Sequence, residues 1–270
     1  MQTKSFKIEF ALDDLADVVP WGEGDQASLS WFGLTQGRYW IETPAGDLLR
    51  YTPEIQEHWK SPYAVVDYQV ARLFEDLLDR MPAILEPVPH DIANKYGDRA
   101  WHERLRRWTE EETAADQPRW AQPPDRWDLY EAAMHWWCAR TLDTAYLLCG
   151  PAITIWRADN DVHLRWTSER NRIDGIEVFA NANGDVSVPA GIFERAAITF
   201  LKSVISAMGE RIHMLKNGAQ TRPCRLDIAA LSAEQAQRED ELRLKLVPTR
   251  TDWSQIRTHL DVLSSALNAT

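Results

Sequence analysis

The sequence has few cysteines and glycines and no long apolar run. Its three cysteines, Cys138, Cys149 and Cys224, are odd in number and widely spaced, which argues against a disulfide scaffold and against a zinc knuckle. They fit a reducing compartment, so we expect a cytoplasmic protein. No segment approaches the roughly 18 apolar residues of a membrane span, and residues 1–10 lack the apolar stretch of a secretory signal. We therefore expect no membrane partner.

Motifs of several enzyme classes are also missing. The 12 glycines are not clustered into a loop that would hold a phosphate or a dinucleotide, and no serine lies in a Gly-x-Ser-x-Gly turn. His135 and Cys138 stand three residues apart, a spacing that suits two ligands of one metal, but no second pair follows nearby. We expect His135 to be a core histidine, and we predict no catalytic residue, no metal site and no cofactor.

Negative charge is concentrated in the first part of the chain. The 270 residues contain 30 Lys and Arg against 41 Asp and Glu, a net charge of −11. Residues 1–150 carry 26 acids and 15 bases, whereas residues 151–270 carry 15 of each. Such a surplus predicts an acidic surface that repels nucleic acid and anionic lipid and attracts a basic protein partner. Solubility is the alternative explanation, since net charge keeps proteins soluble.

Tryptophan is unusually frequent. The chain has 13 tryptophans, and 12 of them lie between Trp21 and Trp166. An indole buries a large area and needs a partner for its N–H, so tryptophan suits both cores and binding surfaces. We expect most of these residues in the core and two or three on an exposed patch or groove.

The apolar pattern predicts an α+β fold with two antiparallel β-meanders, each followed by a covering amphipathic helix, plus additional helices. Alternating residues predict a separate strand at residues 5–10 and the strands of the first meander at residues 28–32, 38–42 and 48–51. Its helix is expected from Val66 to Met81, where apolar residues recur at helical spacing, and Pro82 is expected to end it.

The second meander is predicted from strands at residues 153–157, 162–167, 175–180 and 185–188, the last two joined by Asn183-Gly184. A helix follows Pro189, and the additional helices are expected at residues 101–108, 126–149, 232–246 and from 252 on. The proline-containing segment 116–125 is the clearest linker. It predicts a β-meander/helix lobe at residues 1–115 and a second lobe at residues 126–270, either separate or joined in one compact unit.

Two blocks of the sequence resemble an uncharacterised bacterial protein family, a domain of unknown function. The first block holds Pro20-Trp21-Gly22, Leu29-Ser-Trp-Phe-Gly-Leu-Thr-Gln-Gly37 and Tyr39-Trp-Ile41, a WFGLTxGxYWI-type N-terminal signature. The second holds Ile173-Asp-Gly-Ile-Glu-Val178, Val188-Pro189, Phe193 and Met208. The resemblance covers most of the chain and implies no reaction, because the family has no assigned activity.

These features favour a non-enzymatic cytoplasmic binding protein with an acidic, tryptophan-rich face. A bacterial immunity protein that neutralises a toxin with a basic surface is the concrete form of this prediction. We expect the aromatic anchors to be Trp21, Trp31, Tyr39 and Trp40, and the charged rim to be Asp13, Asp17, Glu23 and Asp25. Because neighbours on a strand point to opposite faces, Trp31 and Phe32 cannot both point inward.

Two alternatives stay open from the sequence alone. Groups of carboxylates, such as Asp13, Asp14 and Asp17, can divide acid and base roles or bind a hard cation. A hydrolase-like or metal-dependent enzyme without a recognisable motif is therefore the first alternative, and a structural or regulatory oligomer of undetermined size is the second. A deep pocket with perturbed ionisable groups would favour the enzyme, and a shallow acidic face would favour the binding protein.

Overall fold

The fold is described from a computed structural model that covers residues 5–113, 124–168 and 170–268. Within these ranges the strands are β1 (Lys7–Leu12), β2 (Gln36–Glu42), β3 (Val66–Gln69), β4 (Thr141–Leu142), β5 (Ala152–Ala158), β6 (Asp161–Thr167), β7 (Arg172–Ile173), β8 (Ile176–Glu177) and β9 (Gly184–Pro189). The helices are α1 (Pro53–Trp59), α2 (Val70–Leu85), α3 (His90–Tyr96), α4 (Arg99–Thr113), α5 (Pro124–Cys138), α6 (Ala190–Lys216), α7 (Ile228–Leu244) and α8 (Trp253–Asn268). The predicted α+β class is confirmed. In the described part of the chain, no helix combines the length and the apolar character needed to cross a lipid bilayer.

The first sheet has the order β1-β2-β3, and both pairs of strands are antiparallel. Lys7 pairs with Glu42 at one end of the β1–β2 ladder, and Leu12 pairs with Gly37 at the other. The strands approach so closely at Gly37 that a Cβ atom there would overlap the carbonyl oxygen of Ala11. Glycine is therefore required at this point of the ladder.

Two predicted strands of the first meander are wrong. Residues 28–32 form a turn that leads into a 3-10 helix at Gly33–Thr35, and the Gly33 N–H donates to the Ser30 hydroxyl at 3.1 Å. Residues 48–51 form only isolated bridges to neighbouring segments. Apolar residues in a turn that faces the core produce the same short alternation as a strand, which explains the error.

The first covering helix is shifted from its predicted bounds. It begins at Val70 because Val66–Gln69 forms β3 and pairs with β2. Pro82 does not end the helix, which continues to Leu85. Proline lacks the N–H that would donate within the helix. A residue outside the helix binds its last turn, since the Thr249 N–H donates to the Pro82 carbonyl at 2.9 Å.

The second sheet has the order β4-β5-β6-β9 and is antiparallel throughout. The predicted β5–β6 hairpin is present, with Asp159 at a φ of 52° in its turn. The predicted strand at residues 175–180 is wrong, because β7 and β8 form a separate small hairpin. β9 pairs with β6 instead, so Asn183-Gly184 does not join two paired strands.

Two further helices differ from their predicted bounds. α5 ends at Cys138, because the chain next forms β4. α7 begins at Ile228, where the Asp227 side chain caps the helix by accepting from the Ala230 N–H at 2.9 Å. The predicted cap, Ser232, lies inside the helix and donates to the Ile228 carbonyl.

Buried apolar residues form two clusters. The larger one lies between the two sheets, α2 and α6, and the smaller one lies among α3, α4, α5 and α8. β5 contributes to both, with Ile155 in the larger cluster and Trp156 in the smaller. The division into lobes at residues 1–115 and 126–270 stays a prediction, and most of its linker lies outside the described residues.

Candidate functional site

The residues predicted as a charged rim lie in the segment that follows β1. We name residues 13–26 the acidic loop, since they include five Asp or Glu and no Lys, Arg or His. Four of its carboxylates are exposed: Asp14, Asp17, Glu23 and Asp25. None of these four forms an ion pair with a basic group in the described ranges, whereas Asp13 lies 3.7 Å from Arg38 Nη2.

Asp13 fixes the start of the loop rather than its surface. The half-buried carboxylate accepts a hydrogen bond from Gln36 Nε2 at 3.0 Å. Its carbonyl oxygen accepts from the buried guanidinium of Arg211, which also donates to the Leu34 carbonyl at 2.6 Å. Burial lowers the pKa of Arg211, and the nearby carboxylates raise it. Arg211 was not among the predicted site residues, although a basic residue within the apolar stripe of α6 is a usable signal.

Backbone hydrogen bonds hold the acidic loop in shape. Trp21 and Ser28 exchange two N–H to carbonyl bonds of 2.9 Å, and the Val19 N–H donates to Gln36 Oε1 at 2.9 Å. Gly22 has a φ of +90°, and a Cβ atom there would lie 3.0 Å from a carbonyl oxygen of the same loop. The loop is therefore preorganised for contact with another molecule.

The acidic loop also presents an apolar surface. The Trp21 side chain is 57% exposed and Val19 is 48% exposed. Of the tryptophans that the structure describes, Trp21 alone is exposed. Its indole meets the Phe32 ring edge to face at 5.9 Å between centroids, which supports the indole from one side. The structure thus brings one predicted anchor together with three predicted rim residues: Asp17, Glu23 and Asp25.

The prediction that Trp31 is a surface anchor is wrong. Trp31 is fully buried, and its Nε1 donates to Gln235 Oε1 of α7 at 2.8 Å. The Arg238 guanidinium lies over the indole at 4.0 Å from the ring centroid. The indole N–H has its partner inside the protein, so Trp31 joins α7 to the turn at residues 28–32. Phe32 is the outer residue of the pair, half-buried against Trp21.

Tyr39 and Trp40 do not serve as anchors of the acidic loop either. Tyr39 is fully buried in β2, its hydroxyl lies 3.0 Å from the Tyr146 hydroxyl, and burial raises its pKa. Trp40 is half-buried on the opposite face of β2, where its Nε1 donates to Glu42 Oε1 at 3.4 Å. Glu42 in turn lies 3.7 Å from Lys7 Nζ, so the charges around Trp40 are paired.

Basic residues border the acidic loop on one side. The Arg225 backbone bridges to the end of the loop, since its N–H donates to the Ala27 carbonyl at 2.7 Å. The side chains of Arg222 and Arg225 are exposed, and neither forms an ion pair with a described carboxylate. The acidic loop therefore ends beside a basic segment with which its four exposed carboxylates form no ion pair.

The residues named for the enzyme alternative are not assembled into one site. His135 is exposed rather than in the core, which corrects that prediction, and Cys138 is exposed as well. Among the residues that the structure describes, no group of three or more His, Cys, Asp or Glu side chains is placed to hold a metal ion. The enzyme alternative stays a prediction.

Comparison with known proteins identifies a family. The model of a family described as "Family of unknown function (DUF5984)" matches residues 7–259 of the chain. No curated protein and no solved structure matches it. The predicted resemblance to an uncharacterised family is confirmed, while the N-terminal signature and a bacterial source stay predictions.

Proposed function

Because the chain belongs to DUF5984, a family of unknown function, we propose a role from the geometry of its own residues: it is a binding protein whose acidic loop docks onto the basic surface of a protein partner. One observation carries the proposal. Four exposed carboxylates, none in an ion pair with a described base, share a rigid loop with an exposed indole. The proposal assigns no reaction to the chain.

Charge supports a basic partner. Exposed charges attract an oppositely charged surface over about 8–10 Å at ordinary salt, and this attraction raises the association rate. The acidic loop offers carboxylates that lose no internal ion pair with a described base when a partner neutralises them. Binding should therefore weaken as salt is added.

Trp21 supports a stable complex rather than a transient encounter. Indoles that become fully covered at an interface are common hot spots, whereas rim charges mainly affect association. The backbone hydrogen bonds of the loop are present before binding, so little ordering is needed when a partner covers Trp21.

An immunity protein is the specific form that we propose for this function, and the cytoplasm is the compartment that we propose for it. A toxin that acts on nucleic acid needs a basic surface, and an acidic loop with an aromatic anchor is complementary to such a surface. In this form, the partner stops growth when it is produced alone and does not when this chain is produced with it.

The test is capture from an extract of the source cells. We expect the immobilised wild-type chain to retain one basic protein at low salt and to release it at high salt. Trp21→Ala should weaken binding of that protein by about thirtyfold, the effect of losing a hot-spot indole. The backbone bonds of Trp21 do not involve its side chain, so the loop should keep its shape.

Charge removal provides the matched control. Glu23→Gln with Asp25→Asn should slow association, whereas Glu54→Gln with Glu57→Gln, which removes two exposed charges from α1, should not. The proposal is overturned if the wild type retains no basic protein at low salt. It is also overturned if Trp21→Ala and wild type bind the retained protein equally.

A further inference from the structure

A cavity with an arginine at its centre lies on the second sheet, and no residue of the acidic loop lines it. Two adjoining hollows of about 510 and 600 Å³ share four lining residues: His102, Trp137, Arg165 and Thr167. We name the two hollows together the arginine cavity. Each volume falls within the range of small-molecule sites, which is about 300–1,000 Å³.

Strand alternation explains why polar residues line this cavity. Leu164 and Trp166 of β6 point into the larger core cluster, so Arg165 and Thr167 point to the other face of the sheet. Thr154 of β5 lies opposite Arg165 in the ladder and shares that face. α4 and α5 close the sides of the cavity with His102 and Trp137.

The guanidinium N–H groups of Arg165 donate no hydrogen bond to a described residue. Its guanidinium lies over the rings of Trp137 and Trp156, at 5.8 and 5.5 Å from their centroids. A cation–π contact of this kind satisfies none of the N–H groups with a hydrogen-bond acceptor. Nε and Nη1 are sealed from solvent without a hydrogen-bond partner. Nη2 bonds no described group and is not sealed, so it is the N–H group that a molecule in the cavity can reach. Burial lowers the pKa of Arg165, and the cross-strand neighbour Asp185 raises it.

His102 lines both hollows of the cavity. Its ring packs against Trp137 at 4.0 Å between centroids, and its buried Nε2 has no hydrogen-bond partner. Burial and the charge of Arg165 lower the pKa of His102 to about 4, so the ring is neutral at pH 7. It therefore lines the cavity without adding charge.

The cavity is cationic within an acidic protein. Its two hollows are lined by four arginines and two carboxylates: Arg80, Arg99, Arg106, Arg165, Glu103 and Asp143. Arg80 forms no ion pair with a described residue, and Arg99 lies 3.7 Å from Asp185. Asp98 and Asp185 act on Arg165 from outside the lining, so the excess of positive charge is confined to the lining residues, where it favours small anions in a chain of net charge −11.

We propose that the arginine cavity binds a small molecule through a carboxylate or phosphate group, which accepts a hydrogen bond from Arg165 Nη2 and is held by the charges of Arg165 and Arg80. Oxyanions are the acceptors that guanidinium groups bind most strongly. A bound oxyanion would supply the acceptor that the Nη2 group lacks and would balance the charge of the guanidinium.

Cys138 provides the readout for the test. This exposed cysteine lines the cavity, so a bound anion should protect its thiol from iodoacetamide. Alkylation rates are measured peptide by peptide, with sodium phosphate or sodium benzoate added and the ionic strength matched with sodium chloride. We expect one of the two anions, or both, to slow alkylation of Cys138 with a saturable dependence on concentration. Cys149 and Cys224 should react at unchanged rates.

Three variants test the site. Arg165→Gln should raise the protecting concentration by at least about tenfold, since it removes a charged hydrogen bond. Arg80→Gln tests the same cavity if Arg165→Gln does not fold. Arg195→Gln, an exposed change on α6, should behave as wild type. Protection by phosphate alone or benzoate alone assigns the group. Protection of wild type by neither anion, or equal protection of wild type and both cavity variants, overturns the proposal.

Discussion

Glu86 shows how one buried side chain connects distant parts of the chain. It is 7% exposed and accepts from the Thr251 N–H and hydroxyl at 2.6 Å each, and from the Thr249 hydroxyl at 2.7 Å. Arg140 Nη2 donates to it at 3.2 Å. Burial alone would raise the pKa of Glu86, but the hydrogen bonds from both threonines and the charge of Arg140 hold it below its ordinary value.

The lowered pKa gives the stability of the protein a defined pH dependence. Ionised Glu86 stabilises the fold fully above its unfolded pKa of about 4.3, and this contribution is lost as the pH falls through the lower folded value. Glu86→Gln leaves the buried Arg140 charge unpaired, so we expect a loss of about 3 kcal/mol in the free energy of unfolding at neutral pH. The loss should shrink near pH 3, as urea denaturation at both pH values will show.

Glu57→Gln is the matched control for Glu86→Gln. Glu57 is exposed on α1, so the same chemical change should alter the free energy of unfolding by less than about 0.5 kcal/mol. A Glu86→Gln protein as stable as wild type at neutral pH, or equally weakened at both pH values, would contradict this account.

The exposure of individual aromatic residues was the least predictable property at this scale. The sequence shows that Trp21, Trp31, Tyr39 and Trp40 are close along the chain, but not that Gln235 and Tyr146 supply internal partners for two of them. Those partners come from more than a hundred residues away. Trp21 was predictable as exposed, because it lies among glycines and acids that do not build a core.

At the scale of secondary structure elements, the β1–β2 ladder depends on Gly37. We expect Gly37→Ala to destabilise the protein by about 1–3 kcal/mol, because the new methyl group would collide with the backbone of β1 rather than with a flexible side chain. Thermal unfolding followed by circular dichroism measures the effect.

Gly191→Ala is the control for Gly37→Ala. This position lies in α6, and the nearest atom to an added Cβ is the end of the Arg195 side chain at 3.5 Å. Alanine there should be neutral or stabilising by up to about 1 kcal/mol, since it favours the helix. Equal destabilisation by both changes would show that crowding at β1 is not the cause.

Elements formed by local interactions were predicted well, and those formed by distant pairing were not. The β5–β6 hairpin and the long helix α6 follow from turn residues and from helical spacing within one segment. β3 was assigned to a helix because Val66 and Val70 are four residues apart, a spacing that fits a helix as well as the end of a strand. Pairing with β2 decides between them, and the sequence does not show it.

At the scale of the whole molecule, the two core clusters share strand β5. We expect Leu260→Ala, which truncates a fully buried residue of α8, to lower the free energy of unfolding by about 2–5 kcal/mol. The protein should still unfold in one transition with an unchanged denaturant slope, because β5 transmits the loss to the larger cluster.

Val262→Ala is the control for Leu260→Ala. Val262 lies on the same helix and is 51% exposed, so its truncation should have little effect. Two separate transitions in urea would show that the clusters unfold independently and would contradict the shared role of β5.

Among the described tryptophans, Trp21 alone is exposed, and this has an optical consequence. An indole in contact with water emits at longer wavelength than one inside a core, so of the described indoles Trp21 contributes most to the red edge of the fluorescence spectrum. The surrounding carboxylates concentrate cations and repel anions, so caesium should quench that edge more efficiently than iodide. The acidic loop therefore carries its own reporter, and coverage by another molecule becomes visible without a label.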